Sequence, residues 1–146
     1  MSIYIDLCNK IKAIAEEDTI VKSIRKGVHI DIEKNNPFPM VHFTVNQATP
    51  TSTTVVFQVA IFAMALRGHD NIPQADRFDG SYQEDTNLDE MLDVLNRIYI
   101  KLLKLQDPFR ITNSPTFEAF YEARMNVVDG WVGTFDIEAI LDETIC

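Results

Sequence analysis

The chain has 146 residues, 46% of them apolar and 24% charged, with a mean hydropathy of −0.06. That length and balance fit one soluble domain over residues 1–146, with enough core to fold without disulfide or metal staples. Asp and Glu number 22 against 13 Lys and Arg, and the net charge of −9 argues against a module that clamps nucleic acid by neutralising its phosphates, though not against DNA that slides past without sticking.

Two cysteines, Cys8 and Cys146, are too few for a disulfide framework and read as unpaired thiols in a reducing cytoplasm. The first ten residues carry Asp6 and no apolar run, so no signal peptide is expected. The longest apolar stretch, 55–66, is broken by Gln58 and falls short of the ~20 residues a membrane helix needs.

Ile3, Leu7, Ile11 and Ile14 recur at helical spacing, so the first segment is a helix with Ser2 as its N-cap and its end near Asp18 and Thr19. Residues 20–25 read as a further turn or a short strand. Val28, Ile30 and Ile32 alternate with polar residues, as do Val41, Phe43 and Val45, and Asn35-Asn36-Pro37 makes a turn between these two strands. Residues 53–66 form a long strand, apolar on both faces and therefore central and covered. Three strands joined by short connections suggest an antiparallel meander.

Periodicity is lost from 67 to 84, and Gly68, Asn71, Pro73 and Gly80 mark a long loop. A helix is expected from Asn87, in a capping box with Glu90, to about Leu105. Leu88, Leu92, Leu95, Tyr99 and Leu102 give it one apolar stripe. Beyond Val94, Ile100 and Leu103 give it a second, which fits burial against the sheet or another subunit. Residues 109–111 read as a short strand, Asn113-Ser114-Pro115 as a turn, and 116–125 and 131–139 as long alternating strands around an Asp129-Gly130 turn or bulge. The fold class is α+β: a mixed, mostly antiparallel sheet, an N-terminal helix, one long helix packed on the sheet, and a closing C-terminal β-hairpin.

The chemistry-bearing patterns are thin. His29, His42 and His69 lack a second ligand at fixed spacing and read as solvated sheet-face histidines rather than zinc ligands. Aligning Gly80 with the sharp turn of a calcium loop puts Ala75 and Arg77 where oxygen ligands belong, and Thr86 where a bidentate Glu is required. There is no Gly-x-Ser-x-Gly elbow, no Gly-rich phosphate loop and no cysteine beside a histidine. No enzyme is expected, and no metal or cofactor. Charge is concentrated instead: residues 67–93 hold eight acids and two arginines, −6 of the net −9. Such a segment is a solvated repulsive loop, a surface for a basic partner, or the lining of a passage that repels phosphate.

This layout resembles the tail-terminator, or tail-completion, proteins of tailed bacteriophages. The residues carrying the resemblance are Phe38-Pro39-Met40-Val41-His42-Phe43, the strand over 53–64, the helix after Asp85-Thr86-Asn87, and the end Val127-Val128-Asp129-Gly130-Trp131-Val132-Gly133-Thr134-Phe135-Asp136-Ile137. It implies a structural virion protein that closes into a ring, commonly of six subunits, at the head-proximal end of the tail or in the neck. Such a ring ends the tail tube and joins it to the head connector, after assembly in the host bacterial cytoplasm. Its partners would be further copies of itself, the tail tube protein and the head connector or neck proteins, with DNA passing transiently and non-specifically and no membrane involved. On this reading Asp70, Asp76, Asp79, Glu84 and Asp85 face a lumen or a partner, and Val94, Ile100 and Leu103 mark the subunit-interface side of the long helix. The alternative is a cytoplasmic dimeric α+β binding module that holds a basic partner on its acidic 67–93 loop. An enzyme pairing His29 or His42 with a loop carboxylate is a third.

Overall fold

A computed structural model describes residues 2–27, 37–66, 82–123 and 127–141. The elements run α1 (Ile3–Glu16), β1 (Ser23–Lys26), β2 (Met40–Pro50), β3 (Thr54–Leu66), α2 (Tyr82–Leu103), β4 (Phe109–Ile111), β5 (Phe117–Ala123) and β6 (Val127–Ile140). This is the expected α+β fold, with two helices and a six-stranded, mostly antiparallel mixed sheet among the described residues.

The sheet order is β1-β2-β3-β6-β4, with β5 also on β6. β3 pairs with β6 from Thr54 opposite Ile140 to Leu66 opposite Val128, so it occupies one whole side of β6. β4 and β5 therefore follow each other along the other side. Of the expected meander, β2 and β3 pair antiparallel; β1, in the stretch read as a turn or short strand, runs parallel to β2, Ser23 opposite Met40 and Lys26 opposite Phe43. The expected strand over 28–32 lies outside the described residues, as do Asn35 and Asn36.

Alternation decides the faces. Odd-numbered residues of β3 and β6, among them Phe57, Val59, Ile61, Phe135, Ile137 and Ala139, share one face with Val41 and Phe43 of β2. Both helices cover that face: Leu7, Ile11 and Ile14 from α1, and Met91, Val94, Leu95, Ile98 and Leu102 from α2, all within the main core. A smaller cluster of Met40, Met64 and Val128, flanked by Phe38 and Phe62, is buried on the opposite face at one end.

Several boundaries differ from expectation for physical reasons. Ser2 makes no side-chain cap; its carbonyl accepts the Asp6 N–H at 2.9 Å. α2 opens at Tyr82 rather than Asn87, so Asn87 caps nothing. At the other end, Leu103 is followed by two i→i−3 bonds, Lys104 to Lys101 and Leu105 to Leu102, each 3.1 Å. Asn113-Ser114-Pro115 does not reverse the chain, because β4 and β5 both run antiparallel to β6. Ile111 lies opposite Ile137 and Phe117 opposite Gly133, so two extra residues bulge from one interrupted edge strand. Asn113 repairs the bulge: its Oδ1 accepts the Asp136 N–H at 2.9 Å and its amide donates to the Thr134 carbonyl at 3.3 Å.

Asp129 and Gly130 likewise form no turn. They sit inside β6, opposite Ala65 and Met64. Glycine is required there because a Cβ would run into the Ala63 carbonyl oxygen and lie 2.9 Å from the Met64 Cα.

Candidate functional site

The acidic segment and the long helix are the sequence's two functional signals, and the structure joins part of one to the other. Asp70, Asp76 and Asp79 lie outside the described residues. Glu84 and Asp85, read above as loop residues, belong to the first turn of α2. Carboxylates there complement the partial positive charge of the helix N-terminus, which accounts locally for their position.

The outward side of α2 changes character along its length. Asp85, Asp89, the neighbours Leu92 and Asp93, then Asn96, Ile100 and Leu103 follow one side of the helix at spacings of three and four, and all are exposed. The strip is acidic near the start of the helix and apolar near its end, where Ile100 is 43% and Leu103 54% exposed. Val94 is corrected: it is fully buried in the main core, so it faces the sheet and offers nothing to a second subunit. Position decides this, since Val94 lies on the same side of the helix as Met91, Leu95 and Ile98.

Two polar junctions fix how α2 lies on the fold, and sequence reasoning foresaw neither. Near its start, the Asn87 amide donates to the Asp129 carboxylate at 3.2 Å and to the Leu66 carbonyl at 3.4 Å. Two residues along β6, the Trp131 indole N–H donates to the Leu88 carbonyl at 2.8 Å. The Trp131 ring is half-buried against the main core rather than enclosed by it. An acid two residues before a tryptophan, on the apolar face of an alternating strand, was the signal available for Asp129.

Toward the other end of α2, Arg97 donates to Asp18 through Nε at 2.9 Å and Nη2 at 3.3 Å, and Lys101 pairs with Glu17 at 3.0 Å. These residues line a shallow cleft of about 350 Å³ with Thr19 and Ile20. Burial works to raise the Asp18 pKa. The Arg97 hydrogen bond, the Ile20 N–H and the charges of Arg97 and Lys101 outweigh it and hold the carboxyl below its ordinary value. Cations and carboxylates of the cleft are thus engaged with each other, and the junction acts as a clamp between α1 and α2.

His42 is also corrected. It is 2% exposed rather than solvated, with Nε2 at 3.0 Å from the Gly27 carbonyl and its ring edge-on to Phe62. An Nε2–H donated to that carbonyl leaves Nδ1 as a buried acceptor, and among the described residues Nδ1 has no hydrogen-bond partner. Burial lowers its pKa, the Gly27 carbonyl works the other way, and the Arg25 charge lowers it further. His29 and His69 lie outside the described residues. Among the described residues, no three His, Cys, Asp or Glu side chains come together as metal ligands. None of the described helices is long and apolar enough to cross a membrane. Compared with known proteins, the chain matches no family model and no curated sequence.

Proposed function

We propose that this chain is a structural virion protein that closes into a ring at the head-proximal end of a bacteriophage tail or in its neck, ending the tail tube and joining it to the head connector. The observation that carries the reading is the outer strip of α2. Its inner side is spent on the core, yet Leu92, Ile100 and Leu103 stand outside at 37%, 43% and 54% exposure. Large apolar side chains spaced along one exposed helix face mark a contact surface more often than scattered single ones do. Function on this reading is shape and self-complementary contact, with copies of the chain, the tail tube protein and the neck proteins as partners. The acids at the start of the same strip would repel the phosphates of DNA in transit.

The deciding experiment is light scattering on a sizing column at two concentrations, repeated with purified tail tube protein. A discrete ring, alone or on the tube, supports the proposal. A tight dimer that ignores the tube overturns it in favour of a binding module that holds a basic partner on its acidic segment.

A further inference from the structure

The two ends of α2 are opposite in charge. From Tyr82 to Asp93 it carries Glu84, Asp85, Asp89, Glu90 and Asp93 and no base. From Val94 to Lys104, the first residue past the helix, come Arg97, Lys101 and Lys104 and no acid. Leu92, Asn96, Ile100 and Leu103 stand exposed along the same outer strip. Met91, Val94, Leu95, Ile98 and Leu102 are spent on the core on the opposite side, so the strip points away from the sheet.

We infer that this strip packs on the same strip of a second copy, the two α2 helices running antiparallel about a two-fold axis at Asn96. This rests on the reading of the strip as a contact surface and names its occupant. A two-fold contact cannot close a ring of six, because every contact within a cyclic ring joins two different surfaces; it lies between rings. In the free protein the α2 pairs therefore hold two rings face to face.

Level and charge both fit. A two-fold at Asn96 sets Leu92 of each copy level with Ile100 of the other, and Asp89 level with Leu103. At about 100° per residue, Asp89, Asp93 and Lys104 lean to the side of the strip that holds Arg97 and Lys101. The two-fold puts that side of both helices together, so Lys104, itself exposed, stands beside Asp89 of the other copy. The competitor is a pair of α2 helices side by side and parallel. In register, that sets Asp85, Asp89 and Asp93 against the same acids, and like charges at close range repel. In the antiparallel pair Asp85 is far from the axis, and its two copies lie about 33 Å apart along the helices.

Cross-linking at single cysteines tests the pair. In a Cys146→Ser background that keeps the buried Cys8, one protein carries Asn96→Cys and another Asp85→Cys, both at exposed positions. Each is oxidised and, in parallel, treated with a short bismaleimide. Asn96→Cys is expected to link to itself, and Asp85→Cys is not. Adding Lys104→Glu or Asp89→Lys to Asn96→Cys should lower the linked fraction, and adding both should restore it. No link at Asn96, equal linking at both positions, or a double exchange that fails to restore linking overturns the antiparallel pair. A ring seen by light scattering without the Asn96 link overturns the pair and leaves the ring reading standing. An Asn96-linked dimer that forms no ring and ignores the tube supports the pair and overturns the ring reading.

Discussion

The side-chain amide of Asn87 on α2 reaches the fully buried carboxylate of Asp129 on β6, 3.2 Å away and 42 residues later in the chain. The same amide meets the last carbonyl of β3, at Leu66. One side chain thus ties the helix to two adjacent central strands. Asn87→Ala removes one hydrogen bond to that buried carboxylate and is expected to cost about 1–3 kcal/mol, the worth of a hydrogen bond to a charged group. Asn87→Asp sets a second carboxylate against the first and should cost more. Urea midpoints of the three proteins check the ordering, and equal midpoints would show that the contact does not form in solution.

Trp131 contributes in two separable ways, by ring packing and by its N–H to Leu88. Trp131→Phe keeps most of the packing and should cost about 0.5–1.5 kcal/mol, the net worth of one hydrogen bond. Trp131→Ala removes both and should approach about 3 kcal/mol, the low end for a large aromatic, because the ring is only half-buried. Thermal unfolding followed by far-UV circular dichroism reads both, since neither variant retains the single tryptophan.

Glycines three residues apart in β6 predict unequal costs. A Cβ at Gly130 meets the main chain of Ala63 and Met64, which cannot yield without breaking strand pairing. A Cβ at Gly133 lies 2.8 Å from two ring carbons of Phe117, a side chain that can turn aside. Gly130→Ala is expected to lose about 3 kcal/mol or fail to fold, and Gly133→Ala about 1 kcal/mol. Soluble yield and denaturation midpoints compare them, and the reverse order would contradict the β3–β6 register.

Stability should fall with acid in two stages. Burial holds His42 below its ordinary 6.5, so the unfolded chain takes up that proton first. The His42 contribution is whole above pH 6.5 and declines as the pH drops through that value toward the folded-state pKa. Asp18 is held below its ordinary 3.8, so its contribution is whole above pH 3.8 and is lost as the pH falls through its folded value. Urea midpoints across this range should show both declines. His42→Gln should flatten the first, and Arg97→Met, which removes the donor to Asp18, should flatten the second. A first decline unchanged in His42→Gln would assign it to another group.

The exposed end of the α2 strip separates folding from assembly. Ile100→Glu and Leu103→Glu sit in water already and should leave stability within about 0.5 kcal/mol of the parent. On the ring reading, both should reduce the oligomer or abolish tube capping. Unchanged assembly in both would remove α2 from the interface.

Local pattern carried much of this architecture. Apolar spacing of three and four residues marks α1 and most of α2, alternation marks β2, β5 and β6, and a run apolar on both faces marks β3, because these signals arise within a few residues. Such patterns report which side of an element is dry and nothing about what makes it dry. Val94 and Leu103 look alike in the sequence, yet one is sealed into the core and the other stands in solvent, because only the packed sheet defines an inside. The same limit applies to punctuation. Asn113-Ser114-Pro115 and Asp129-Gly130 read as turns, but tertiary pairing with β6 and β3 keeps both chains running straight, through a bulge in one case and a close main-chain approach in the other. The parallel β1–β2 pair, the junction of Asn87 with Asp129 and the burial of His42 were decided wholly by the tertiary structure. Each depends on residues brought together from distant parts of the chain, and the sequence by itself determined only the local periods from which those contacts were built.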